Sequence, residues 1–94
     1  MTIRTYRKIP IALQAVQFTG DNWAEVFELT GRENFRGFVA RWEGQPEDLT
    51  AQVWDKLHDT WVGVKTGQWI MKGTEGEHWP VDNTVFVKSY EAVT

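Results

Sequence analysis

The run Val53-Trp54-Asp55-Lys56-Leu57-His58-Asp59-Thr60-Trp61-Val62-Gly63-Val64 decides the fold. Val53-Trp54 closes one strand-like segment and Thr60-Trp61-Val62-Gly63-Val64 opens another, both rich in β-branched and aromatic residues. Asp55–Asp59 between them is dense in turn formers, so the whole reads as an antiparallel hairpin. The same pattern continues downstream. Thr66-Gly67 breaks the second strand, Gln68-Trp69-Ile70-Met71-Lys72 makes the next, and Gly73-Thr74-Glu75-Gly76 turns again. Glu77-His78-Trp79-Pro80 then leads to Asp82-Asn83-Thr84. The closing stretch 82–90 fits two states. Phe86 and Tyr90 at i, i+4 behind an Asp82 cap suit a short helix, while Val85 and Val87 around Phe86 suit a strand equally.

Upstream of the hairpin, Leu49–Trp54 is strand-like, and Glu43-Gly44-Gln45-Pro46-Glu47-Asp48 before it is a polar loop, expected to be disordered or variable in length. Residues 35–42 read as a strand with Arg36, Phe38, Ala40 and Trp42 in one phase and Phe35, Gly37, Val39 and Arg41 in the other. A helix is expected over about 22–30. Asp21 or Asn22 caps it, and with Asn22 as cap Glu25 falls at the third helical position. Trp23, Val26, Phe27 and Thr30 form its apolar stripe, Glu25 and Glu28 its wet side, and Gly31 its end. Residues 11–18 carry no charge and predict a strand packed on both sides, with Ile11, Leu13 and Ala15 on one face and Val16 and Phe18 on the other. Pro10 suits the first position of that strand, since it has no N–H to give to a ladder. These readings predict one α+β domain over residues 1–94. One helix packs on a mostly antiparallel sheet of five or six short strands, a sheet able to curl into a small, partly open barrel.

Composition narrows the function classes. The chain has 94 residues, 10 Lys and Arg against 13 Asp and Glu, and a net charge of −3, which disfavours a nucleic-acid coat or a polybasic lipid anchor. Cysteine is absent, which removes disulfides, thiolate metal sites and cysteine nucleophiles together. No run approaches the length of a membrane span, and Met1-Thr2-Ile3-Arg4 lacks the apolar core of a signal peptide, so a cytoplasmic setting is expected. The outlying feature is six tryptophans beside five phenylalanines and two tyrosines, a large aromatic load for so short a chain. A core this small holds only two or three side chains that bury about 150–250 Å² each and need a partner for an N–H. Some indole is therefore expected at a contact surface, where tryptophan is enriched among binding anchors.

Two stretches carry a resemblance. Tyr6-Arg7-Lys8-Ile9-Pro10 with Ala15-Val16-Gln17-Phe18-Thr19-Gly20 resembles the opening of a family of small bacteriophage and prophage proteins. Val53–Val62, then Gly67-Gln68-Trp69-Ile70, Gly73, Gly76-Glu77, Trp79-Pro80, Phe86 and Tyr90-Glu91, is similar to that family's second half. Related bacterial sequences carry a Pro-Gly-Asp-Tyr-Gly signature, at whose core this chain has Thr66-Gly67-Gln68-Trp69. The resemblance implies a phage-encoded accessory protein in a bacterial cytoplasm and brings no reaction with it.

The chemistry-bearing residues point the same way. Asp55, His58 and Asp59 are ligand types that zinc or manganese accepts, and Glu77 and His78 come from a neighbouring turn. No His-x-x-x-His or Glu-x-x-His spacing fixes their geometry, so the simpler reading has Asp55 and Asp59 capping turn amides, with His58 half-buried against Trp54 or Trp61. No Gly-x-Ser-x-Gly turn or phosphate loop frames any hydroxyl, so nothing specifies an enzyme, a cofactor or a metal. The expected function is non-catalytic binding of a host or phage protein, or self-association as a homodimer, through a sheet surface bearing Trp54, Trp61, Trp69 and Trp79 with His58, His78 and Arg7 near it. The rival is a small-ligand module that stacks a nucleotide-like molecule on those rings, with Arg7 or Lys8 on its phosphate. A hydrolase using Asp55, His58 and Asp59 comes last.

Overall fold

The computed structural model describes residues 3–38 and 40–93. Six strands and two α-helices follow one another as β1 (Gln14–Gln17), α1 (Trp23–Thr30), β2 (Phe35–Gly37), β3 (Leu49–Asp55), β4 (Thr60–Lys65), β5 (Trp69–Lys72), β6 (His78–Val81) and α2 (Asn83–Ser89), with a 3₁₀ turn at Arg32–Asn34. The α+β class and the antiparallel pairing agree with the sequence reading. The single sheet does not. The strands form two three-stranded sheets, ordered β1-β5-β6 and β2-β3-β4, and among the described residues neither closes into a barrel. The split falls at Thr66-Gly67. Gly67 has φ +97°, its N–H donates to the Phe18 carbonyl at 2.7 Å, and the Phe18 N–H donates to the Gln68 carbonyl at 2.9 Å. The chain thus leaves β4 and pairs next with β1 in the other sheet.

The inner faces of both sheets meet α1 in one core of Phe18, Val26, Phe35, Ala51, Val53, Val64 and Ile70. Ala51 and Val53 on β3 and Val64 on β4 point inward, leaving Gln52, Trp54 and Trp61 on the opposite face, as a period of two requires. On β5, Ile70 faces the core opposite Val16, while Met71 faces outward opposite Ala15 and Trp79. Both are buried, so β5 is covered on its two faces. The strand expected over 11–18 forms only at Gln14–Gln17, so Pro10 does not open it and Ile11 lies exposed ahead of it.

Helix α1 begins where expected, by another use of Asn22. The Asn22 side chain makes no capping bond to a helix amide; its Oδ1 accepts from the Thr19 N–H at 2.8 Å and its Nδ2 donates to the Gln17 carbonyl at 2.7 Å. It ties helix to strand instead. Gly31 ends α1 at φ +85°, its N–H donating to the Phe27 carbonyl. Residues 82–90 resolve as helix α2, with Phe86 and Tyr90 stacked on each other at 5.2 Å. Among the described residues no helix is long and apolar enough to cross a membrane.

Two other expectations are corrected. The strand expected over 35–42 stops at Gly37, and Val39 lies outside the described residues. Beyond it the chain turns so that Phe38 and Trp42 meet edge-on at 5.5 Å. The polar loop that follows is pinned rather than loose. Gln45 is buried, its Nε2 donating to the Leu49 carbonyl at 2.6 Å and its Oε1 accepting from the Trp42 N–H, while Arg41 donates to the Pro46 carbonyl at 2.7 Å.

Candidate functional site

None of the six tryptophans is fully buried; Trp42 is 53% exposed and the other five are half-buried. They separate onto different surfaces. Trp54 and Trp61 stand directly opposite each other on β3 and β4, on the face turned away from the core, with ring centroids 5.4 Å apart in an edge-to-face arrangement. Arg36 on β2 reaches across the same face and lays its guanidinium 3.8 Å from the Trp61 ring centroid. Its Nε also donates to Gln52 Oε1 at 3.0 Å, which fixes the fork in place. Leu49 completes the patch by lying over Gly63, where an added Cβ would come 2.8 Å from its Cδ1. The result is a flat strip of two indoles, a leucine and a stacked arginine, built on regular strands and held in rotamer by its own members. Neither indole N–H of the pair has a hydrogen-bond partner among the described residues.

The other sequence candidates lie elsewhere. Trp69 and Trp79 are on the outer face of β1-β5-β6. The Trp69 ring is stacked flat against Phe86 at 3.8 Å and 5°, and its Nε1 donates to Asn83 Oδ1 at 2.9 Å, so α2 roofs it. The Gln68 Nε2 donates to Asp82 Oδ1 and holds the start of the same helix. His78 is on the inner face, 5% exposed and out of reach of a ligand, with Nε2 unpartnered. Burial pushes its pKa below the ordinary imidazole value, and the Lys72 and Lys56 cations add to that, against the Leu29 carbonyl and Glu77. Arg7 lies in an exposed arm ahead of β1, and no ion pair ties it to Glu25 or Glu28 among the described residues.

His58 sits at the tip of the β3-β4 hairpin, 77% exposed rather than packed on Trp54 or Trp61. Its Nδ1 is 2.7 Å from Asp55 Oδ2, and the Asp55 carboxylate also accepts from the Leu57 and His58 N–H groups. The hydrogen bond from His58 is the largest cause holding the Asp55 carboxyl below its ordinary value. Asp59 takes the left-handed backbone of the turn at φ +55°, a conformation aspartate tolerates. The Asp55 carboxylate is thus spent on turn amides, whereas Asp59 serves the turn through its backbone, and no group of three or more His, Asp or Glu among the described residues is arranged to hold a metal ion.

Arg36 is the site residue that sequence reasoning missed. Its phase on the short strand was legible, but the register that carries it over Trp61, two strands away, is written nowhere in its neighbours. Compared with protein-family models, curated proteins and solved structures, the chain finds no match.

Proposed function

We propose that this is a non-catalytic, bacteriophage-type accessory protein that works by binding another protein through the outer face of β2-β3-β4. The observation that carries the reading is the Trp54–Trp61 pair with Arg36 stacked on it, half-exposed on the side of the sheet away from the core. Tryptophan and arginine are the residues most enriched among energetic anchors of protein interfaces. A strip already locked by cross-strand contact and cation–π stacking loses little side-chain freedom on docking. The resemblance to small phage and prophage proteins supplies the setting, a bacterial host cell, and a host or phage protein as partner.

The small-ligand alternative draws less support from the rings. Phe86 already occupies the face of Trp69, and the edge-to-face Trp54–Trp61 pair leaves no slot between parallel rings for a base. The test is capture of partner protein from bacterial lysate on the immobilised chain, followed by affinity measurement for whatever is captured. Arg36→Ala and Trp61→Ala are expected to weaken binding by about 30-fold each, the equivalent of ~2 kcal/mol at an anchor. Trp42→Ala, on a separate loop, is expected to leave it unchanged. Equal affinity for all three variants and the parent chain would sink the reading.

A further inference from the structure

The exposed apolar side chains of this protein are not scattered. Ile3, Tyr6, Ile9 and Ile11 lie on the arm before β1, and Val85, Val87, Tyr90 and Val93 lie on α2 and the segment after it; outside these two chain ends only Trp42 and Leu57 are comparably exposed among the described residues. Arm and helix border one open groove of about 1130 Å³, floored by Met71, Trp69 and Phe86 on the outer side of β1-β5-β6. A second cavity of about 230 Å³ continues it between Ile9, Leu13, Trp79 and Tyr90. From Lys8 to Leu13 the arm lines this space without filling it, for Ile9 is 75% and Ile11 59% exposed.

Charge follows the same division. The arm carries Arg4, Arg7 and Lys8, and the groove wall carries Glu25, Glu28 and Glu91. Among the described residues of one copy none of these six is ion-paired; the ion pair there is Asp55–His58. The chain therefore holds both halves of a complementary contact and uses neither on itself. An interface of that kind closes when two copies meet about a two-fold axis, since each supplies the arm and each supplies the groove. β1 is an edge strand of only four residues, Gln14–Gln17, too short a ladder to carry the contact, which is one of side chains in a groove rather than strand addition.

We infer that a second copy of this chain covers the groove, each copy laying its basic, apolar arm over the other's Met71–Phe86 floor in a reciprocal exchange. This surface is separate from the Trp54–Trp61 strip, so the inference stands or falls independently of the proposed function.

The full chain measured by light scattering or sedimentation from low micromolar to millimolar is expected to pass from one to two times its mass. Arg4→Glu, Arg7→Glu and Lys8→Glu combined, or Tyr6→Asp alone, are expected to raise the dissociation constant by tenfold or more, with an unchanged circular dichroism spectrum because the arm is solvent-exposed. The absence of native cysteine permits a direct geometric readout. A tagged Tyr6→Cys chain mixed with an untagged Ser89→Cys chain, whose new thiol stands on the groove wall, is expected to form chiefly the mixed disulfide. A single-chain mass at every concentration overturns the inference. So does a dimer indifferent to the arm substitutions, which would place self-association on another face, and so does mixed-disulfide yield no greater than the two like-with-like products.

Discussion

The two sheets each present a pair of tryptophans on the side away from the shared core, and Trp69 of one pair meets a different fate from Trp54 and Trp61 of the other. On β1-β5-β6 the strand that carries Trp79 runs directly into α2, which folds back so that Phe86 stacks on Trp69 and Asn83 takes its N–H. On β2-β3-β4 no ring of a later element stacks on the outer pair among the described residues. Trp54 and Trp61 pack against each other and under Arg36, with their remaining surface turned to solvent. The lesson is that indole content alone does not mark a binding face. What marks it is indole left uncovered after every following element has been placed, and held rigid by neighbours rather than by a roof.

Substitutions sharpen this contrast. The largest effect is expected from the part both sheets share. Phe35 lies 5.3 Å from Phe18 and 5.0 Å from Trp23, so Phe35→Ala should destabilise by about 3–5 kcal/mol in a single cooperative melt. Two separate transitions by fluorescence and far-ultraviolet dichroism would instead mean that the sheets fold as independent units. Next, Trp69→Ala should cost about 2–3 kcal/mol and release α2, with loss of helical dichroism, because both the stacked ring and the Asn83 bond go. Trp61→Ala should cost only about 1 kcal/mol, the worth of one cross-strand aromatic pair and one exposed cation–π contact, and leave α2 intact. Similar losses for Trp61→Ala and Trp69→Ala would erase the distinction between a roofed and a bare face.

A smaller, conditional effect belongs to pH. His78 is held below its ordinary pKa of 6.5 in the folded chain, so the unfolded chain binds more protons in the window between the two values. Its contribution is fully present above pH 6.5 and is lost as pH falls through the folded value; chemical denaturation across this range should show it, and His78→Leu should flatten the curve. Asp55, also lowered, acts in a separate window: its contribution is present above about pH 3.8 and disappears on further acidification.

Much of the frame was legible because local signals and burial agreed. Trp23, Val26, Phe27 and Thr30 gave α1, and the Asp55–Asp59 turn gave the hairpin. The failures share a cause. The run 35–42 alternates well enough for a strand, but Gln45 and Arg41 satisfy carbonyls of the following loop and stop the ladder at Gly37. Residues 82–90 were undecided because Val85, Phe86 and Val87 suit either state locally; the ring of Trp69, distant in sequence, selects helix. His78 reads as a candidate ligand beside Trp79, yet alternation on β6 sends the two to opposite faces. Arg36 became visible only through strand register.

Hydrogen exchange at the indole N–H groups, read by nuclear magnetic resonance on the dilute chain, tests the contrast most directly. Trp69 is expected to exchange slowly under its Asn83 bond and Phe86 cover, while Trp54 and Trp61 exchange at rates near those of free indole. Protection of Trp54 and Trp61 equal to that of Trp69 would contradict an uncovered face on β2-β3-β4, and with it the site proposed for binding.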